Sequence, residues 1–151
     1  MKQSIIILFL FSLIIIHGQA QRGWRLFSGM GVTGPVHVIH ESRDGTLWAG
    51  GRGLSRNDGS GWQSVAGVTG WINVIYQSSD GTLWLGGGDG LWRYDDSGWE
   101  SVAAGFTDQV WTIHESRDGV LWAGGSNFLW RYEDSGWQQQ TQVTGGVWTI
   151  H

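Results

Sequence analysis

Three stretches of this chain repeat one another, and that repetition limits the fold more than any other feature of the sequence. Asp44-Gly45, Asp80-Gly81 and Asp118-Gly119 recur at spacings of 36 and 38 residues. Leu47-Trp48, Leu83-Trp84 and Leu121-Trp122 follow in step, and Ser-Gly-Trp closes each unit at Trp62, Trp99 and Trp137. A period of this size means stacked supersecondary units, none of which buries its apolar face alone. The units span residues 36–70, 71–108 and 109–146, with a partial copy at 147–151.

Each unit reads as four short strands. The first covers residues 36–41 and its copies 72–77 and 110–115. Asp-Gly then closes a hairpin, because a tight two-residue turn needs positive φ. Leu-Trp opens the second strand, and a glycine-rich turn (Gly50-Gly51-Arg52-Gly53, or residues 86–90) leads to the third. The third strand is seen as Leu91-Trp92-Arg93-Tyr94 and Leu129-Trp130-Arg131-Tyr132, and an acidic turn such as Asp95-Asp96-Ser97-Gly98 precedes the fourth. No segment carries a 3.6-residue apolar period, so no helix is expected. Neighbours such as Leu47 and Trp48 point to opposite faces, so both faces of each sheet need cover. Sheets stacked as blades provide it. Burying one Trp is worth about 4–6 kcal/mol gross, and the twelve tryptophans help to offset the backbone entropy of 26 glycines. The predicted class is all-β: a β-propeller fragment of three four-stranded blades with flanking strands.

The first twenty residues stand apart from the repeats. Lys2 supplies a positive charge, residues 5–16 are apolar except for Ser12, and His17-Gly18-Gln19-Ala20 ends with small residues. This is the pattern of a secretory signal peptide, residues 1–20, with cleavage expected after Ala20. Its apolar run is too short to span a bilayer as a helix, and no second such run follows, so no membrane insertion of the mature chain is expected. There is no cysteine. Export without disulfides fits a bacterial periplasmic or secreted protein better than a small extracellular eukaryotic domain. Lys2 is the only lysine, and eight arginines then face thirteen carboxylates. That balance speaks against nucleic acid, whose phosphates need clustered cations, and against an anionic membrane surface.

The string Ile-His-Glu-Ser-Arg-Asp-Gly-Val-Leu-Trp-Ala-Gly-Gly at residues 113–125, followed by Leu-Trp-Arg-Tyr, resembles the two-component regulator propeller repeat. The resemblance covers essentially all of residues 24–151, with Leu54-Ser55-Arg56 departing where later units have Leu-Trp-Arg. It implies the periplasmic sensor region of bacterial signalling proteins, in propellers of about seven blades joined to an output module. On that footing the chain is expected to be a non-catalytic, extracytoplasmic ligand-binding or sensory scaffold, with further repeats or an output domain as partners. The alternative is a secreted lectin-like or protein-interaction propeller without a signalling role. Trp24-Arg25-Leu26-Phe27 matches a fourth strand and Val147-Trp148-Thr149-Ile150-His151 a first strand. The strands between them are missing, which leads to the expectation of truncation from a larger propeller.

No residue pattern calls for catalysis or a cofactor. The glycine runs lack a following helix and a Gly-Lys-Ser/Thr, so hairpin turns explain them better than a phosphate cradle. The acidic turns recur at one position, which favours turn chemistry over calcium. His40, His114 and His151 occupy equivalent places on different units and read as packing residues rather than a zinc set. Ligand binding is expected instead where the uniform repeats diverge, at one end of the sheets. There His37, Asn73, Trp111 and Trp148 share one register, with Trp71 just before it; Arg52, Asp89 and Asn127 vary in the second-to-third turn. Aromatic platforms beside amides and a cation suit sugars, small molecules or peptides. The same tryptophans would also serve as core, and the sequence leaves both readings open.

Overall fold

The computed structural model describes residues 33–95, 97–102, 105–106, 108–133, 135–143 and 145–150. The signal-peptide segment, Trp24-Arg25-Leu26-Phe27 and His151 lie outside them. The described residues are all-β, without a helix, in three antiparallel sheets. Sheet I holds β1 (Thr33–Glu41), β2 (Leu47–Asn57) and β3 (Trp62–Ser64). Sheet II holds β4 (Ile72–Gln77), β5 (Leu83–Gly87), β6 (Gly90–Asp95) and β7 (Gly98–Ser101). Sheet III holds β8 (Val110–Glu115), β9 (Leu121–Gly125), β10 (Leu129–Glu133) and β11 (Gly136–Gln139). Each sheet is a meander in which consecutive strands pair.

Sheet I corrects the expectation of four strands in every unit. Its β2 runs unbroken through the glycine turn: residues 48–50 pair with β1, and residues 55–57 pair with β3. The turn here is Arg52-Gly53, one residue shorter than in the later units, and Gly53 lies at φ +100°. The shorter connection lets one continuous segment serve both places.

The Asp-Gly hairpins are built alike in each unit. Gly45, Gly81 and Gly119 sit at φ +83°, +95° and +82°, where a side chain would be strained. The preceding Asp closes the turn from within. Asp44 accepts from Ser42 Oγ at 2.7 Å and from the Thr46 N–H at 3.0 Å, and Asp80 accepts likewise from Ser78 and Thr82. These bonds, the serine hydroxyl's foremost, hold both carboxyls below the ordinary range. The same serines receive the indole N–H of the following strand, Trp48 to Ser42 and Trp84 to Ser78, both at 3.1 Å. One Ser-x-Asp-Gly turn thus fixes the hairpin and the position of a core Trp.

Packing between sheets also repeats. Trp48, Leu54, Val68, Ile72, Ile75, Leu83 and Leu85 form one core, between sheets I and II. A second, between sheets II and III, is built around Trp84, Leu91, Val110, Ile113, Leu121 and Trp137. Trp48 meets the edge of Trp99 at 5.7 Å and Tyr94 at 6.0 Å; Trp84 meets Trp137 at 5.7 Å and Tyr132 at 5.9 Å. The first strands of sheets II and III each enter a notch in the sheet before them, and Val147 enters the equivalent notch of sheet III. A Cβ on Gly50 would come within 2.7 Å of Ile72 Cγ2, on Gly86 within 2.5 Å of Val110 Cγ1, and on Gly124 within 2.6 Å of Val147 Cγ1.

Where the first unit departs from the repeat, it carries a cost. Ser55 stands in the place of Trp92 and Trp130; it is fully buried, and its hydroxyl has no hydrogen-bond partner. A buried hydroxyl without a partner is a net loss. Ser55→Ala should therefore raise stability by about 1 kcal/mol, read as a higher midpoint in urea. A lower midpoint would mean that the hydroxyl is satisfied. His40 Nε2 is also buried without a partner, and burial lowers the pKa of that imidazole.

Candidate functional site

The residues singled out by their divergence gather at one end of the sheets, on and between the first strands. His37, on β1, stacks on Trp71, just before β4, with ring centroids 5.0 Å apart and planes 14° from parallel. Trp111, on β8, stacks on Trp148 at 3.7 Å and 16°. Asn73, on β4, lies between these pairs in register and donates its amide to the Val110 carbonyl at 3.1 Å. Each contact joins one unit to the next, so a row of rings and amides runs along the first strands and the residues beside them.

The exposure of this row is its notable property. The Trp148 indole lies against Trp111 yet is 70 % exposed, and Trp71 is 42 % exposed. The equivalent Leu-Trp tryptophans Trp48 and Trp84 are 4 % exposed. Of the two sequence readings, core or platform, the core role belongs to Trp48 and Trp84. Trp71 and Trp148 present open aromatic surface.

The turn residues divide. Arg52 bridges through its backbone to Trp71, and both line a groove of about 450 Å³ with Ser64, Val65, Val68 and Thr69. Arg52 makes no side-chain hydrogen bond or ion pair among the described residues, whereas Arg56, Arg93 and Arg131 are paired with carboxylates. Asp89 reaches across from sheet II to accept from Thr69 Oγ1 at 3.3 Å. It presses so closely on Gly70, at φ +80°, that a Cβ there would overlap its carboxylate. Asn127 is exposed in the turn before β10 and meets none of the other candidates. Two residues outside the candidate set belong with it. Gln109 accepts the Trp111 indole N–H at 3.1 Å, and Thr69 holds Asp89. The signal for Thr69 is the recurring Val-Thr-Gly at Val68 and Val143.

Chemically the row offers flat apolar surface edged by amides, one unpaired guanidinium and one carboxylate. Such a set holds a ligand by stacking and directed hydrogen bonds. Among the described residues no group of three or more His, Cys, Asp or Glu side chains is placed to hold a metal ion, and no helix is long and apolar enough to cross a membrane. The chain matches no protein-family model and no curated protein.

Proposed function

We propose that the three sheets are consecutive blades of a β-propeller, part of a larger wheel, and that the chain is a non-catalytic, extracytoplasmic scaffold that binds glycans or similar small ligands. Support for the wheel comes from the inter-sheet contacts. The same Trp-on-Trp edge, the same glycine notch and the same first-strand succession recur from sheet I to II and from II to III. Propeller blades stack in this way. Support for the location is the 1–20 leader pattern, and support for a sensory role is the resemblance of the repeat to two-component regulator propellers.

One observation carries the binding role: Trp148 rests one face of its indole on Trp111 while most of its surface stays in water. Open indole surface beside amides is what the apolar face of a pyranose ring stacks against. It speaks to binding alone, and so suits the lectin-like reading as well as the sensory one.

Calorimetric titration with a panel of neutral and acidic oligosaccharides tests the proposal. At least one sugar should bind, and Trp148→Ala should weaken it about tenfold, the scale of one aromatic stacking contact, without lowering the thermal midpoint. Absence of binding across the panel, or binding untouched by Trp148→Ala, overturns it.

A further inference from the structure

The groove at the junction of sheets I and II joins an open aromatic ring to a charge without a partner. Its walls are the Arg52-Gly53 turn, the end of β3 and the linker that leads into β4. Backbone bonds fix all three. Arg52 bridges to Trp71, the Gly53 N–H donates to the Gly70 carbonyl at 2.9 Å, and the Val65 N–H donates to the Leu54 carbonyl at 2.9 Å. The groove is therefore a preformed part of the fold, and its volume of about 450 Å³ suits a small ligand.

Its lining has a definite chemistry. Val65 and Val68 contribute apolar surface, Ser64 and Thr69 hydroxyls, and Trp71 an indole that is 42 % exposed and stacked on His37. Among the described residues that line it, Arg52 alone is charged. Its side chain is exposed and makes no hydrogen bond or ion pair among the described residues. Asp89 comes to the same linker from sheet II, but its carboxylate accepts from Thr69 Oγ1 at 3.3 Å and lies against Gly70, outside the lining.

The sign of that charge is particular to this junction. The corresponding turns of sheets II and III carry Asp89 and Asn127. Nor does the molecule as a whole attract anions. Its thirteen carboxylates outnumber nine basic residues, for a formal charge of −4, and such a background field favours cations. An anionic ligand must be held by a local cation, and Arg52 supplies one beside an open indole.

We infer, on the reading of the aromatic row as a sugar platform, that its ligand carries an oxyanion, as a uronate or a sulfate ester. That group pairs with the Arg52 guanidinium while its ring lies on Trp71. A guanidinium presents two parallel N–H groups that match two oxygens of a carboxylate or a sulfate. Stacking accepts any ring with an apolar face, and the fork accepts any oxyanion; the groove joins the two demands in one residue of the ligand. The acidic ring then occupies the sheet I end of the row, and further rings extend toward Trp111 and Trp148.

Calorimetric titration of the purified full chain, with each acidic sugar of the panel set against its neutral counterpart, tests the charge apart from the platform. The probes are trigalacturonate, a galactotriose sulfate and neutral galactotriose. One acidic sugar should bind about tenfold tighter than the neutral one, and which of them does so separates uronate from sulfate. Arg52→Gln should cut that preference about tenfold, the scale of a lost charge-assisted hydrogen bond. Arg52→Lys should keep part of it, and about 1 M sodium chloride should reduce it. Trp148→Ala should weaken acidic and neutral sugars alike and leave the preference in place. Circular dichroism of each variant confirms that the sheets are kept. Sugar binding without a preference for the acidic probes, or a preference indifferent to Arg52→Gln, overturns the assigned charge and leaves the platform standing. No binding by any sugar of the panel overturns both.

Discussion

Trp84→Ala should lose about 4 kcal/mol of stability, the scale of truncating a buried aromatic, while the same change at Trp122 should cost about 1–2 kcal/mol. The two residues occupy the same place in their repeats, and urea unfolding of both variants makes the comparison direct. Trp84 is buried, donates to Ser78 Oγ at 3.1 Å, and meets both Trp137 and Tyr132 from sheet III. Its removal opens a cavity between sheets II and III and takes one ring out of the cluster that Trp137, Tyr132 and Phe106 form. Trp122 is only half-buried and lies under the Arg131 guanidinium at 5.7 Å, a contact worth about 1 kcal/mol or less when exposed. The difference arises from the neighbouring sheet together with the bond to Ser78, which Trp122 does not make to Ser116. Equal losses would show that intra-sheet contacts hold these tryptophans, and stacked sheets would then not be the source of stability.

That pair also shows how far the sequence can be read. The repeat places the strands well: β4 and β8 coincide with the expected spans 72–77 and 110–115. Asp-Gly and Ser-Gly-Trp are local signals with a local physical cause, so the turns and the strands after them are legible. Which face of a sheet is covered is not local. Val38-Ile39-His40-Glu41 and Thr112-Ile113-His114-Glu115 differ by a single residue, yet Ile113 is in the core and Ile39 faces water. Only the order of sheets decides between them. The uninterrupted β2 follows from a turn one residue shorter, a difference visible in the sequence whose effect depends on the sheet around it.

The candidate site was legible in outline for the same reason. Divergence within a uniform repeat marks positions that the fold does not dictate, and His37, Asn73, Trp71, Trp111 and Trp148 are such positions. Sequence divergence does not say which rings stack. His37 pairs with Trp71, which stands outside its register, while Trp111 pairs with Trp148 inside it. The partners are set by how each linker enters its first strand. Asn127, equally divergent, stands apart, although its turn has the same length as the one bearing Asp89.

Gly87→Ala should cost about 3 kcal/mol, at the upper end of overpacking losses, whereas Gly88→Ala should fall within about 0.5 kcal/mol of the parent. Neither glycine lies at positive φ, so the contrast is one of space and not of backbone conformation. A Cβ on Gly87 would overlap the carbonyl oxygen of Trp71, which already accepts the Gly88 N–H at 2.8 Å. A carbonyl on the main chain cannot rotate away as a side chain can, so β5 and the entry to β4 must part. A Cβ on Gly88 would find Trp71 N at 3.8 Å, an ordinary contact, and the bond from its N–H would survive. The same close approach recurs at Gly125, where a Cβ would overlap the Gln109 carbonyl; this crossing of first and second strands within one sheet is therefore a property of the repeat. It also bears on the candidate site, because the strand end that Gly87 holds carries Trp71 and its stack on His37. Gly87→Ala should displace that stack, lowering affinity for any ligand that uses it, while Gly88→Ala leaves both stability and affinity unchanged. Urea titration with a parallel binding titration reads both quantities. A Gly87→Ala protein as stable as the parent would mean that the first strand does not cross its neighbour as closely as the structure has it, and that Trp71 is positioned by something other than this glycine.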